Sequence, residues 1–317
     1  MTSMTMIREL DVDRDAAAVV DVFLASDPLI VSNAAEWAHR HNAIPPRAKK
    51  LERAAIVDGR LVGFVQTRLD FFGSGDIGRI GVNVHPDYRH RGIGSELYDI
   101  GVTHLRSLGV SRIATAFTES PDGVRFAKAR LWQEKRAEVL SVLDPADVDV
   151  IPDVRAIIKP VRELDPHELH RVDEETTRDI PSLEVIESIP YDEWLAFVWN
   201  NPLFTHDGSV GAVVEGRLAA VSFLLANVEA GRAFSMFTGT SREYRGRGLA
   251  LGVKVASASW AAANGIAQMI TTNDARNAPM LAVNMRLGYK PAGRRVEYVL
   301  STAEETASSP APPEPAT

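Results

Sequence analysis

The chain has no cysteine among its 317 residues. This excludes a disulfide, a thiolate metal site and a cysteine nucleophile, and with them covalent thiol catalysis. Nor is there an excess of positive charge. The formal net charge is −7 and the pI is near 5.7, which argues against general nucleic-acid binding, because displacing counterions from phosphates needs a basic face. No apolar run approaches the roughly 18 residues of a membrane span, and the opening "MTSMTMIRELDVDRD" has no apolar stretch of signal-peptide length. The expectation is a cytoplasmic protein that binds neither membrane nor nucleic acid. The eight histidines are scattered, and His167 with His170 has no further recognisable ligand nearby, so no metal site is expected.

With 45% hydrophobic and 24% charged residues, the chain reads as globular and long enough for two domains. Its end, "STAEETASSPAPPEPAT" from Ser301, is rich in proline, alanine, serine and glutamate. Such a segment buries too little apolar surface to order itself and reads as a disordered tail over 301–317.

Internal repetition organises the rest. "RELD" occurs at Arg8 and, 154 residues later, at Arg162; "EW" occurs at Glu36 and Glu193, and "VDGRLV" at Val57 is answered by "VEGRLA" at Val214, both 157 apart. "YRHRGIGS" from Tyr88 is matched by "YRGRGLAL" from Tyr244, 156 apart. Four matches in one order at nearly constant spacing indicate a tandem duplication, with domains at 1–150 and 151–300.

Each copy reads as α+β, a mostly antiparallel twisted sheet flanked by helices. In the second, Asp165 and Pro166 stand as N-cap and first residue of a polar helix. "SVGAVVEGRLAAVSFLLANV" is a hairpin about Glu-Gly, "AFSMFTGT" continues the sheet, and a helix runs from about Gly248 to Asn264. "AQMITTN" is a strand, "NAPMLAVNMRL" a helix and "RRVEYVLS" a last strand. The first copy repeats this order, with "RAAIVDGRLVGFVQTRL" as hairpin, "IGRIGVNV" as strand and "GSELYDIGVTHLRSLG" as helix. In "IPYDEWLAFVWNNPLF", Trp194, Phe197 and Val198 share one helix face, read as core rather than ligand wall.

The two glycine loops carry the chemistry. The first amides of a helix lack intrahelical partners and lie at the positive end of its dipole, so they can converge on a pyrophosphate. Gly92 and Gly94 in one copy, Gly248 with Ala250 in the other, keep side chains out of that approach. Arg89, His90 and Arg91, or Arg245 and Arg247 about Gly246, add positive charge, with Ile93 and Ser95 or Leu249 in the first turn. Neither loop has the Gly-Lys-Ser/Thr ending of a nucleotide P-loop or the third glycine of a dinucleotide fingerprint. An acyl-coenzyme A is the better ligand.

"VNVHPDYRHRGIG" and "TGTSREYRGRGLA" resemble the Arg-x-x-Gly-x-Gly/Ala loop of the GCN5-related N-acetyltransferases (GNAT), placed between the fourth strand and the next helix. "NDARNAPMLAVNMRLGYKP" looks like that family's later Asn-rich helix ending in Gly-aromatic. The tandem arrangement is similar to the two-domain bacterial type represented by mycothiol synthase. The resemblance implies acetyl-CoA as co-substrate, a small-molecule amine as acceptor and direct attack of that amine on the thioester. It places Val82 and Val84, or Phe237, Thr238, Gly239 and Thr240, along the coenzyme, a strand amide near Thr238 to Thr240 on the acetyl carbonyl, and Asn273, Asn277, Gly288 and Tyr289 beside the adenylate and pantetheine.

The family often has a tyrosine four residues before Gly-aromatic, able to protonate the departing thiolate. That position here is Asn284, a poor acid that can donate a hydrogen bond to sulfur. The first copy offers Ala127 or Phe126 and no Gly-aromatic pair. For the base, Asp274 at the end of the fifth strand faces the right region, with Glu119 as its counterpart. The second copy is therefore expected to be the catalytic one, in a monomer whose copies form an internal pseudo-dimer. A non-catalytic acyl-CoA-binding sensor or scaffold is the alternative.

Overall fold

The computed structural model describes residues 5–71, 76–180 and 189–302. The expected tail falls almost wholly outside the described residues. Ser301 is still in a strand, and the Thr302 amide bonds the Ser111 carbonyl.

The halves repeat one order of elements. The first runs β1 (Met6–Glu9), α1 (Val12–Ser26), α2 (Ala34–Ala43), β2 (Leu51–Val57), β3 (Arg60–Leu69), β4 (Ile77–Val84), α3 (Ile93–Ser107), β5 (Arg112–Thr118), α4 (Pro121–Lys128) and β6 (Gln133–Leu143). The second runs β7 (Ile157–Pro160), α5 (Pro166–Thr177), α6 (Tyr191–Trp194), β8 (Val210–Val214), β9 (Arg217–Asn227), β10 (Arg232–Thr240), α7 (Leu249–Ala263), β11 (Gln268–Asp274), α8 (Ala278–Leu287) and β12 (Lys290–Ser301). Local sequence accounts for the punctuation. Asp58-Gly59 and Glu215-Gly216 both take positive φ at both positions, the backbone of a two-residue turn whose twist matches its hairpin. The Asp165 carboxylate accepts the His167 amide at the start of α5. Beyond α6 the chain widens into a π turn over 195–199, which leaves Trp194 buried and its Nε1–H on the Asp173 carboxylate at 2.7 Å.

All twelve strands form one sheet, in the order β1-β2-β3-β4-β5-β12-β6-β11-β10-β9-β8-β7. The last strand of each half lies in the other half's sheet: β12 pairs with β5, β6 pairs with β11, and the two exchanged strands pair with each other. Val296 and Tyr298 of β12 thus belong to the first half's core with Leu97, Leu105 and Ile113, while Leu143 of β6 belongs to the second half's core with Leu251 and Met269. The units 1–150 and 151–300 remain our proposal for the repeat in the sequence; in space each core is completed by the other unit's last strand.

The halves also meet on the face bearing α1, α2, α5 and α6. Arg47 donates to Glu193 at 2.7 Å, His39 Nε2 lies 2.7 Å from the Ala196 carbonyl, and Phe71 stacks on Phe197. On the opposite face α3 and α7 lie against the sheet. The linker after β6 returns over α7, where Val154 packs beside Gly252. No helix among the described residues is long and apolar enough to cross a membrane.

Reciprocal exchange makes each half incomplete alone. The fragment 1–150 is expected to aggregate or to dimerise, and co-expression with 151–317 to restore one stable complex. Light scattering of the separate and combined fragments checks this, and a well-folded monomeric 1–150 contradicts it.

Candidate functional site

The site in each half starts from a parallel strand pair that ends early. β4 and β5 pair only from Ile77↔Arg112 to Arg79↔Ala114, and β10 and β11 only from Arg232↔Gln268 to Phe234↔Ile270. Beyond those pairs the strands diverge into a fork. In the first half β4 stays in regular register with β3 from Leu69↔Gly78 to Gly63↔Val84, so Val82 and Val84 lie on a regular strand. In the second, β10 bulges against β9 between Ser235 and Phe237, with Met236 as the extra residue. A bulge bends the strand and interrupts its ladder, and Phe237, Thr238, Gly239 and Thr240 follow it along the open edge.

The glycine loops take the same backbone in both halves. Gly92 and Gly248 are the helix N-caps at φ +84° and +75°, and His90 at φ +61° occupies the place of Gly246 at +75°. Two residues on, Cβ contacts at Gly94 would be ordinary, the closest at 3.6 Å, which explains why Ala250 serves there. The arginines are engaged within their own loops. Arg89 Nε donates to the Val84 carbonyl and Arg245 Nε to the Thr240 carbonyl, at 3.2 and 3.1 Å. Arg91 and Arg247 reach back to the carbonyls of Asp87 and Glu243 and lie over the rings of Tyr88 and Tyr244. Asp179 pairs with Arg242 and Arg245, whose hydrogen bonds hold its carboxyl well below the usual range. These arginines brace the helix start; their positive charge is partly spoken for.

Among the described residues, the open fork of the second half contains polar atoms that lack hydrogen-bond partners. Asn284 is 3% exposed; its Nδ2 donates to Asn273 Oδ1 at 2.6 Å, and its own Oδ1 has no hydrogen-bond partner. The hydroxyls of Thr238 and Thr240 are likewise buried without one. As oriented, Asn284 offers an acceptor, which suits an amide N–H better than a sulfur. Asn277 caps α8, its side chain accepting the Met280 amide, and so serves the helix first. Beneath the fork, Lys254 Nζ is buried and donates to Ser235 Oγ at 2.9 Å; burial pushes this amine down to about 8. The sequence reading missed Lys254, although a lysine in the apolar run "LALGVKVASASWAAA" stands in register with Leu251 and Ala258 on the core face.

The first half fills the corresponding space. Trp132 N bonds the Ala127 carbonyl as Tyr289 N bonds that of Asn284, so Ala127 is the counterpart of Asn284. The aromatic partner is retained after all: Leu131 takes the left-handed backbone (φ +62°) held by Gly288 in the second half (φ +94°), and Trp132 follows it. Phe126 lies against the first turn of α3, near Gly94. Arg130 stacks on Phe126 at 3.6 Å and donates to Ser95 Oγ at 2.8 Å.

Asp274 lies on the face bearing the first helices, at the end of β11. Arg276 binds it through Nε, Nη2 and its amide at 2.8–2.9 Å, and Arg136 Nε at 2.7 Å. Arg276 first, then Arg136, hold the carboxyl far below the ordinary carboxylate range against the cost of burial, which ill suits it to accept a proton at neutral pH. Its counterpart is Thr118, not Glu119: Asp274 and Thr118 face the exchanged strands at Glu138 and Arg295, whereas Glu119 pairs with Arg294 one residue further on. His170 and His167 go to the Ile189 carbonyl and the Tyr191 ring.

A sheet of this order, with its forks and glycine-led helices, is a fold shared with a solved tandem GNAT protein. Residues 19–130 match the model of the acetyltransferase (GNAT) family. No curated protein sequence matches the chain. Among solved structures, the chain is similar to a tandem GNAT protein from the clavulanic acid biosynthesis pathway, at 19% identity over 95% of this chain and 99% of that one, with a TM-score of 0.74. It is similar to a GCN5-related N-acetyltransferase from Sphaerobacter thermophilus at 16% identity, 94% and 95% coverage and TM-score 0.67. N-myristoyltransferase of Saccharomyces cerevisiae, solved with myristoyl-CoA, gives 10%, 95%, 80% and 0.61. The family-model match falls in the first half, while the structural matches span both.

Because the native carboxyl of Asp274 titrates below its unfolded value near 4, its contribution to stability is full above that pH and is lost as pH falls below it. Asp274→Asn should cost on the order of 2 kcal/mol at pH 7, with the gap closing in acid. Denaturant titrations of both proteins at pH 7 and pH 3 measure it.

Proposed function

We propose that the chain is an acetyl-CoA-dependent N-acetyltransferase whose chemistry occurs in the second half, with the first half as scaffold or secondary coenzyme site. The observation that carries this reading is the bulged, open fork of β10 and β11 with the partnerless Asn284, Thr238 and Thr240 groups at the start of α7. They fit an extended arm with amide groups entering the fork and a pyrophosphate at the amides of Leu249 and Ala250. The first half keeps a comparable loop and the family-model match, yet Phe126 and Arg130 occupy the passage between α3 and α4.

When bound, the coenzyme supplies a thioester whose acyl carbon is the electrophile. The chain's part is to hold that carbon against the acceptor, with a backbone amide in Thr238 to Thr240 on the carbonyl oxygen. Asp274, fixed as an anion by two guanidiniums, orients Arg136 and Arg276 on the acceptor face. The acceptor then arrives as the free amine and its proton leaves to solvent. The internal pseudo-twofold axis supplies the pairing that single-domain relatives obtain by dimerising, so the working form is a cytoplasmic monomer. The lack of a free carboxylate at Asp274 favours the alternative, a coenzyme-binding sensor without turnover.

Titration calorimetry with acetyl-CoA, beside thiol release over a panel of small amines, separates the two. Thr238→Val should weaken acetyl-CoA binding about tenfold by removing one hydrogen bond without changing shape. Arg245→Glu should abolish turnover, while Arg89→Glu leaves it near wild type. The reverse pattern in folded proteins places the chemistry in the first half, and binding without release on any acceptor supports the sensor.

A further inference from the structure

The internal repeat provides a control for judging Lys254. Lys254 and Tyr98 are both the sixth residue of a 15-residue helix, α7 and α3. Across from them, Ser235 and Ile80 are each the residue that follows the last parallel pair, Phe234↔Ile270 and Arg79↔Ala114. In the first half the pair is Ile80 and Tyr98; Ile80 is core and the Tyr98 hydroxyl accepts Trp132 Nε1–H. The fold therefore does not need a cation at this place. In the second half the same space holds an amine 4% exposed, hydrogen-bonded to Ser235 Oγ at 2.9 Å, 5.3 Å from the centre of the Tyr289 ring, and ion-paired with no carboxylate among the described residues. Burying an ammonium without a counter-charge is costly, and an apolar side chain would pack there at less expense.

The location gives the charge a use. Ser235 stands where the fork opens, immediately before the bulged Met236, and its carbonyl accepts the Thr271 hydroxyl from β11 at 3.2 Å. The Tyr289 hydroxyl is buried alongside, against the Ser235 side chain; burial pushes its titration upward against that contact, so that it stays protonated and is a weaker acid than the ammonium. Asn284 presents its carbonyl oxygen. We propose that Lys254, through the Ser235 hydroxyl, supplies the proton that the coenzyme sulfur takes up when the thioester is cleaved. The proposal rests on the acetyltransferase reading above. As the carbon–sulfur bond breaks and its electron pair goes to sulfur, the Ser235 hydroxyl gives its proton to sulfur and takes one from Lys254 Nζ. The amine is left neutral and regains a proton from water, which has received the one lost by the acceptor nitrogen. Lys254 is a positioning and proton-holding residue behind Ser235. With its amine at about 8, it is charged at neutral pH yet a stronger acid than an exposed lysine.

The test compares wild type, Lys254→Met and Ser235→Ala. In the ligand-free proteins, a group whose folded value lies below its unfolded value near 10.4 weakens the fold most at low pH. Lys254→Met should therefore be the more stable protein at pH 7, and its advantage should shrink as pH rises from about 8 to about 10. A stability difference that does not change over that range overturns the proposal. With coenzyme A bound, ultraviolet thiolate absorbance should appear in wild type at least about one pH unit below both variants, and desulfo-coenzyme A should bind all three within about twofold. Equal thiol titration in all three proteins overturns the proposal. Failure of both coenzyme A and desulfo-coenzyme A to bind wild type overturns the acetyltransferase reading itself, and with it this one, and is distinguished by the loss of the sulfur-free ligand.

Discussion

A strand that diverges from its neighbour on one side must be held on the other. β5 and β11 each leave a parallel partner after three residue pairs, and an opening of this kind exposes backbone groups along both diverging edges. What keeps each fork from collapsing or fraying is the long antiparallel strand on its far side, β12 against β5 and β6 against β11. Both come from the opposite half. The exchange thus joins the two sheets, fixes the pseudo-twofold axis between β6 and β12, and lets the parallel strands of each half diverge.

The same seam accounts for the electrostatics of the face bearing the first helices. Successive strands bring Arg79, Glu297, Arg136, Glu138 and Asp274 into one chain of ion pairs, closed at its ends by Asp70 and Arg276. Three of these pairs, Arg79–Glu297, Arg136–Glu297 and Arg136–Asp274, cross the boundary between the halves. Such a network holds strands in register, and its two guanidiniums hold Asp274 as an anion, a poor free base. That is why Asp274, in the place a base would take, acts as an anchor.

Much of this architecture was legible in the sequence, where local chemistry dictates the outcome. The Asp-Gly and Glu-Gly turns, the Asp165 cap and the glycine-led helices depend on residues within a few positions of one another. The strand exchange was not legible, because β6 and β12 have the same alternating pattern whichever sheet they enter. The counterpart of Asp274 was missed by one residue: the 156-residue spacing of the glycine loops carries through to Thr118, but the acidic side chain stands next to it, at Glu119. Leu131 concealed the first half's aromatic corner because only its backbone, not its side chain, resembles Gly288. The arginines of the loops carry charge in any reading, but which carbonyls they brace is visible only in three dimensions.

A repeated motif need not carry a repeated function. In both halves the loop arginines bond their own strand end and loop carbonyls, and the glycine N-cap is needed for its left-handed backbone. A folding requirement is therefore enough to maintain the loop in a half that binds nothing. Discrimination between the halves has to come from positions that folding leaves free: Ile80 or Ser235, Tyr98 or Lys254, Ala127 or Asn284. At each, the first half has the side chain that packs without an unpartnered polar atom in the fork, and the second has one that adds a polar group to it. Three polar replacements around one fork, with the added residue of a bulge beside them, cost stability without improving the packing, and a ligand with its own polar groups is what would offset that cost.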